Sequence, residues 1–174
     1  MSQLSSLISV AVWRNLVEKH HSGNDDDFAE SISRFLANDI DRVAVMKQAL
    51  RGKDRATAVY VLPRLPVSEL QELFEELVFL ASFSHGAVQA VRNVILSLPR
   101  EWILDRIEDA AEPLLVNGTY DEYRRLLELY MDMDRHRAKK LALRAAASHD
   151  NDIKETGEDF LRRLGETERP DEAT

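Results

Sequence analysis

The sequence predicts an all-α protein, a short α-solenoid of antiparallel helical hairpins, on three observations. Val61-Leu62-Pro63-Arg64-Leu65-Pro66, Ile95-Leu96-Ser97-Leu98-Pro99 and Leu129-Tyr130-Met131-Asp132-Met133-Asp134 mark junctions between helical patterns, and Leu65, Leu98 and Met133 lie 33 and 35 residues apart. Intervals of this size suit stacked helical hairpins. Apolar residues recur near helical spacing on both sides of each junction, and cap residues stand where the apolar runs stop and start.

The opening helix is expected over Leu4 to His20, with Leu7, Ile8, Ala11, Val12, Leu16 and Val17 near helical spacing, and Ser22-Gly23-Asn24-Asp25-Asp26-Asp27 ends it. Phe28, Ile32, Phe35 and Leu36 form the next stripe, and Ile40, Val43, Met46 and Leu50 another after a break at Asn38-Asp39. Gly52 suits a helix C-terminus and Asp54 the cap of a helix running through Val61, where Pro63 and Pro66 enforce a bend. Ser68 and Gln71 fit a capping box ahead of Leu70, Leu73, Phe74, Leu77, Val78 and Ala81. After a turn at Ser84-His85-Gly86, Val88, Val91, Val94, Ile95 and Leu98 form the partner face. One such helix would expose its apolar stripe, whereas an antiparallel pair covers both.

Pro99 opens the next helix, which carries Trp102, Ile103, Ile107, Ala111 and Leu115 and is expected to be disturbed at Pro113. Asn117-Gly118 ends it, and Thr119 with Glu122 offers a second capping box. Tyr123, Leu126, Leu127 and Tyr130 follow; Asp134 then starts a helix whose Ala138, Ala142, Ala145 and Ala146 permit close packing. A last helix is expected from Asp150–Asp152 to just before Gly165, capped by Asp152 and Glu155. The expected organisation is a single domain over 1–165 and a flexible acidic tail over 166–174.

Composition narrows the function. At 174 residues, 44% apolar and 31% charged, the chain has the balance of an ordinary folded soluble protein. The absence of cysteine excludes disulfides, a thiolate nucleophile and sulfur-ligated metal. Net charge is −8, of which nine acids against four bases from Asp150 to Thr174 hold −5. An acidic chain is poorly suited to non-specific nucleic-acid binding or to an anionic membrane. Leu77-Val78-Phe79-Leu80-Ala81 is too short to span a bilayer, and the apolar start has no preceding Lys or Arg, so a cytoplasmic address is expected.

Leu126-Leu127-Glu128-Leu129-Tyr130, Asp134, Arg137-Ala138-Lys139-Lys140-Leu141-Ala142, Ala145-Ala146 and Asp150-Asn151-Asp152-Ile153-Lys154-Glu155 together resemble the HEAT-like, armadillo-like helical repeats. The turn aspartate and the small residues of the following helix carry the resemblance, which runs from Asp54 to Leu164. It implies a curved right-handed superhelix that binds another protein along its concave face. Pro63, Pro66 and Pro113 make the hairpins irregular.

The candidate binding surface is basic. Arg137, Lys140 and Arg144 lie three and four residues apart on one helix, and Arg92 occupies the comparable side of an earlier second helix. With Tyr120 as an exposed aromatic anchor they form a patch suited to an acidic protein or peptide. The competing reading is that these cations are solvated and pair with neighbouring repeats. Stacking on a second copy, giving a homo-oligomer, stays open. The alternative function is a nucleic-acid-binding, DNA-repair-like HEAT domain, which the overall charge and the lack of aromatics interleaved with a basic strip both weigh against.

Catalysis is not indicated. Glu69, Glu72, Glu75 and Glu76, like Glu101, Asp105, Glu108, Asp109 and Glu112, read as solvated helix faces, because paired carboxylates need a pocket to separate their protonation. His20, His21, His85, His136 and His149 form no metalloprotease signature, and neither a nucleophile elbow, a dinucleotide glycine fingerprint nor a P-loop is present. No metal and no cofactor is expected.

Overall fold

In the computed structural model, which describes residues Gln3–Thr167, every regular element is helical, and the chain divides into two compact units, 1–76 and 77–174. The first contains α1 (Gln3–Ser22), α2 (Asp25–Ala37), α3 (Arg42–Arg51), α4 (Arg55–Val61), a 3-10 turn (Leu62–Arg64) and α5 (Val67–Glu72). The expected stripes meet in its core: Trp13 and Leu16 of α1, Phe28, Ile32 and Phe35 of α2, and Met46, Ala49 and Leu50 of α3 are all buried. The Trp13 and Phe35 rings lie 5.5 Å apart. Between α1 and α2 the chain reverses at Gly23, whose φ of +71° is left-handed backbone that favours glycine. Asn24 then caps α2 by accepting the Asp26 and Asp27 amides.

Arg42 binds this unit together. Its guanidinium donates to the Leu36 and Asn38 carbonyls, both at 3.0 Å, at the end of α2, and to both carboxylate oxygens of Glu69 on α5. It thus satisfies carbonyls that the end of α2 leaves without helical donors.

Two expected caps differ. Asp54 stands at the start of α4 but makes no capping bond; its carboxylate instead accepts the Trp13 indole N–H at 3.2 Å. Ser68 is not a helix cap either: α5 begins at Val67, directly after Pro66, whose ring presets φ at −57°.

The division falls inside α6 (Phe74–Ala81), which is separated from α5 by a break at Leu73 that periodicity does not reveal. The second unit continues through α7 (Val88–Leu96), α8 (Arg100–Leu104), α9 (Ile107–Val116), α10 (Tyr120–Met133), α11 (Arg135–Ala146) and α12 (Asn151–Thr167). Neighbouring helices pack in order from α7 to α12, and α10 also touches α12. Leu98 and Met133 sit at helix junctions as expected, and in the first unit so does Leu65.

The helix expected from Pro99 through Leu115 is interrupted at Asp105 and Arg106, while Pro113 lies inside a continuous α9. Arg106 serves this break, with its guanidinium 4.5 Å from the Trp102 ring centre and bonded to the Trp102 carbonyl. The Thr119–Glu122 capping box forms, and Asp134 caps α11 by accepting the Arg137 amide at 2.9 Å. The cap of α12 is Asp150, which accepts the Asp152 and Ile153 amides, rather than Asp152 with Glu155. That helix runs through Gly165 to Thr167; the rest of the expected tail, from Glu168, lies outside the described residues.

The small residues of α11 do what their size allows. Ala138, Ala142 and Ala145 are fully buried, and Gly157 of α12 sits so close that a Cβ there would lie 2.3 Å from the Ala146 nitrogen and 2.7 Å from the Ala142 oxygen. Phe160 and Leu164 close the same seam.

Candidate functional site

Three of the five candidate binding residues converge. Arg137, Lys140 and Arg144 project from one side of α11 toward Glu108 and Glu112, one turn apart on α9. Lys140 Nζ lies 3.1 Å and Arg137 Nη1 3.3 Å from the same Glu108 oxygen. Arg144 grips Glu112 through both nitrogens, at 2.5 and 3.0 Å, the fork geometry in which a guanidinium matches a carboxylate. Beneath these pairs, Leu115, Tyr130 and Leu141 floor a groove of about 180 Å³.

The groove's electrostatics are those of a paired surface. The Arg144 hydrogen bonds hold the Glu112 carboxyl below its usual value, and the same bonds raise Arg144. Burial keeps the Tyr130 phenol protonated, and its hydroxyl points to the Ile107 carbonyl at 3.4 Å. The arrangement can recognise charge and apolar side chains together.

Arg92 and Tyr120 lie elsewhere. Arg92 is buried at 5% exposure, and its Nη2 donates to the Arg125 carbonyl at 2.8 Å and to Glu128 at 2.7 Å. It therefore pins α7 to α10. Burial pushes the Glu128 carboxyl up, but hydrogen bonds from Arg92 and Arg125 outweigh it and hold the carboxyl below its usual range. Arg125 extends this network to Ser84, whose amide and hydroxyl both donate to Asp121. Tyr120 is exposed and lines a different hollow of about 450 Å³, with Arg124 on α10 and Asp152, Glu155, Thr156 and Asp159 on α12.

The acids that complete the groove, Glu108 and Glu112, read from sequence only as part of a solvated helix face, and their pairing with Arg137, Lys140 and Arg144 is the competing reading of those cations. A signal existed: Glu108 with Lys140 and Glu112 with Arg144 are each 32 residues apart, close to the interval between the helix junctions. Among the described residues no group of three or more histidines and carboxylates could hold a metal ion, and no helix is long and apolar enough to cross a membrane.

No protein family matches this chain, and neither does any curated protein or solved structure.

Proposed function

We propose that the second unit is a noncatalytic docking module of helical-repeat type, and that the α9–α11 groove takes an acidic protein segment. The single observation that carries this is the convergence of Arg137, Lys140 and Arg144 above an apolar floor, with exposed acids as their partners. Exposed ion pairs contribute only about 0–1 kcal/mol each, so an incoming carboxylate exchanges for Glu108 or Glu112 at little cost. The floor then adds apolar contact, and Leu143 and Val116, both exposed, offer further apolar surface on the two helices. Consecutive packing from α9 to α12 supports the repeat-type reading, and the lack of cysteine suits a reducing, cytoplasmic setting.

The test uses capture from the native lysate in parallel with two variants. Changing Arg137, Lys140 and Arg144 together to Glu abolishes capture of the specific partner, with helicity unchanged by circular dichroism. Changing Glu108 and Glu112 to Gln frees the cations and strengthens capture. An identical partner set for both variants would remove the groove from consideration.

A further inference from the structure

The first unit holds a second recognition surface of different build. α1 and α3 pack together but leave a hollow of about 330 Å³ along their seam. Trp13 and Ala49, both buried, form its floor; Val10, Val17 and Val45 form its walls. Val10, Trp13 and Val17 follow the three- and four-residue spacing of one helical stripe, which α3 covers only in part, leaving Val10 47% exposed.

The charges at this hollow run against those of the chain. Arg14 on α1 and Lys53 on the α3–α4 turn are exposed at its rim, and neither has an ion-pair partner among the described residues. The one acid in the lining, Asp54, accepts the Trp13 indole N–H and keeps its charge, so the two cations outnumber it. On a chain of net charge −8, an apolar hollow rimmed by two unpaired cations is a local reversal of sign.

We infer that this hollow docks a short amphipathic helix of a partner protein, with apolar side chains at helical spacing and carboxylates beside them. Its aliphatic side chains fill the seam over Trp13, and its acids meet Arg14 and Lys53. A second copy of the chain fits poorly: two-fold pairing through this patch would bring Arg14 and Lys53 toward their own counterparts. The surface is separate in residues and in unit from the α9–α11 groove, so either assignment stands or falls alone.

Trp13 and Trp102 are the two tryptophans, so the full-length Trp102→Phe variant makes Trp13 the reporter of the hollow. The probe is a synthetic peptide with Leu at i, i+3, i+4 and i+7 and Glu between them; the control has Lys in place of each Glu. The Glu peptide is expected to change Trp13 emission saturably, and the Arg14→Glu, Lys53→Glu double variant to weaken that binding about tenfold or more. Both substitutions are at exposed positions, and circular dichroism checks the fold. Changing Arg137, Lys140 and Arg144 leaves the response intact. Equal binding of the two peptides, or undiminished binding to the double variant, overturns the inference. So does saturation by decanoate with none by the peptide, or a dimer in sedimentation that Val10→Asp abolishes.

Discussion

His20 illustrates how much one side chain can control. Its Nδ1 lies 2.7 Å from the hydroxyl of Thr57, which is fully buried, and its ring packs against Phe28 and Tyr60 at 4.7 and 5.6 Å. In the neutral ring protonated at Nε2, Nδ1 accepts the threonine proton; protonation turns Nδ1 into a donor and reverses that bond. Burial, and secondarily the charge of His21, lower the His20 pKa from 6.5. A histidine that protonates less readily in the fold contributes stability above its unfolded value, which is lost as pH falls through 6.5 toward the folded value. Denaturation at a series of pH values should show this decline, and His20→Gln should flatten it. Glu128 also has a lowered pKa, so its contribution is present above 4.5 and disappears at lower pH, in a separate acid limb. Removing its partner with Arg92→Leu should cost about 2–3 kcal/mol in chemical denaturation, because a partly buried carboxylate loses a charged donor. Arg92 also shows what sequence conveyed and what it did not. It stands four residues after Val88 and three before Ile95, a position on the buried stripe, yet as an arginine it reads as surface. Only the acid and carbonyl supplied by α10 explain why it turns inward.

At the scale of helices, α11 and α12 make the sharpest prediction. Replacing glycine by alanine inside a free helix gains up to about 1 kcal/mol. At Gly157 the sign reverses, since the added carbon would lie 2.3 Å from backbone that has no rotamer to move away with. Gly157→Ala should therefore destabilise the protein by about 1–3 kcal/mol in thermal or denaturant unfolding. Elements set by neighbours in sequence were legible: Thr119 and Glu122 cap each other within one turn, and Asp134 needs only the Arg137 amide. Elements set by distant partners were not. Asp54 looked like a cap until Trp13, 41 residues away, claimed its carboxylate. The break at Asp105–Arg106 carries no proline, whereas Pro113, the expected breaker, sits within an intact helix. The candidate groove divides in the same way: Arg137, Lys140 and Arg144 share a face by simple periodicity, but the acids opposite them come from another helix.

For the whole molecule, charge decides which partners are excluded. A net charge of −8 opposes phosphate backbones, and the basic side of α11 already faces Glu108 and Glu112. Fluorescence anisotropy with a labelled DNA duplex at ~0.15 M salt should show no saturable binding. Tight, salt-sensitive binding there would favour a nucleic-acid role over protein docking. The division inside α6 has a consequence for how the chain is made. The first unit is contiguous in sequence, and the packing of α1 on α2 and α3, and of α3 on α4 and α5, joins residues already synthesised before Leu77. A nascent polypeptide leaving the ribosome therefore already carries α1, α2 and α3, the helices that contribute Leu16, Phe35 and Met46 to the core, while the α11–α12 seam is still untranslated. Vectorial synthesis then spares the growing chain a long interval with its first oily stripes bare.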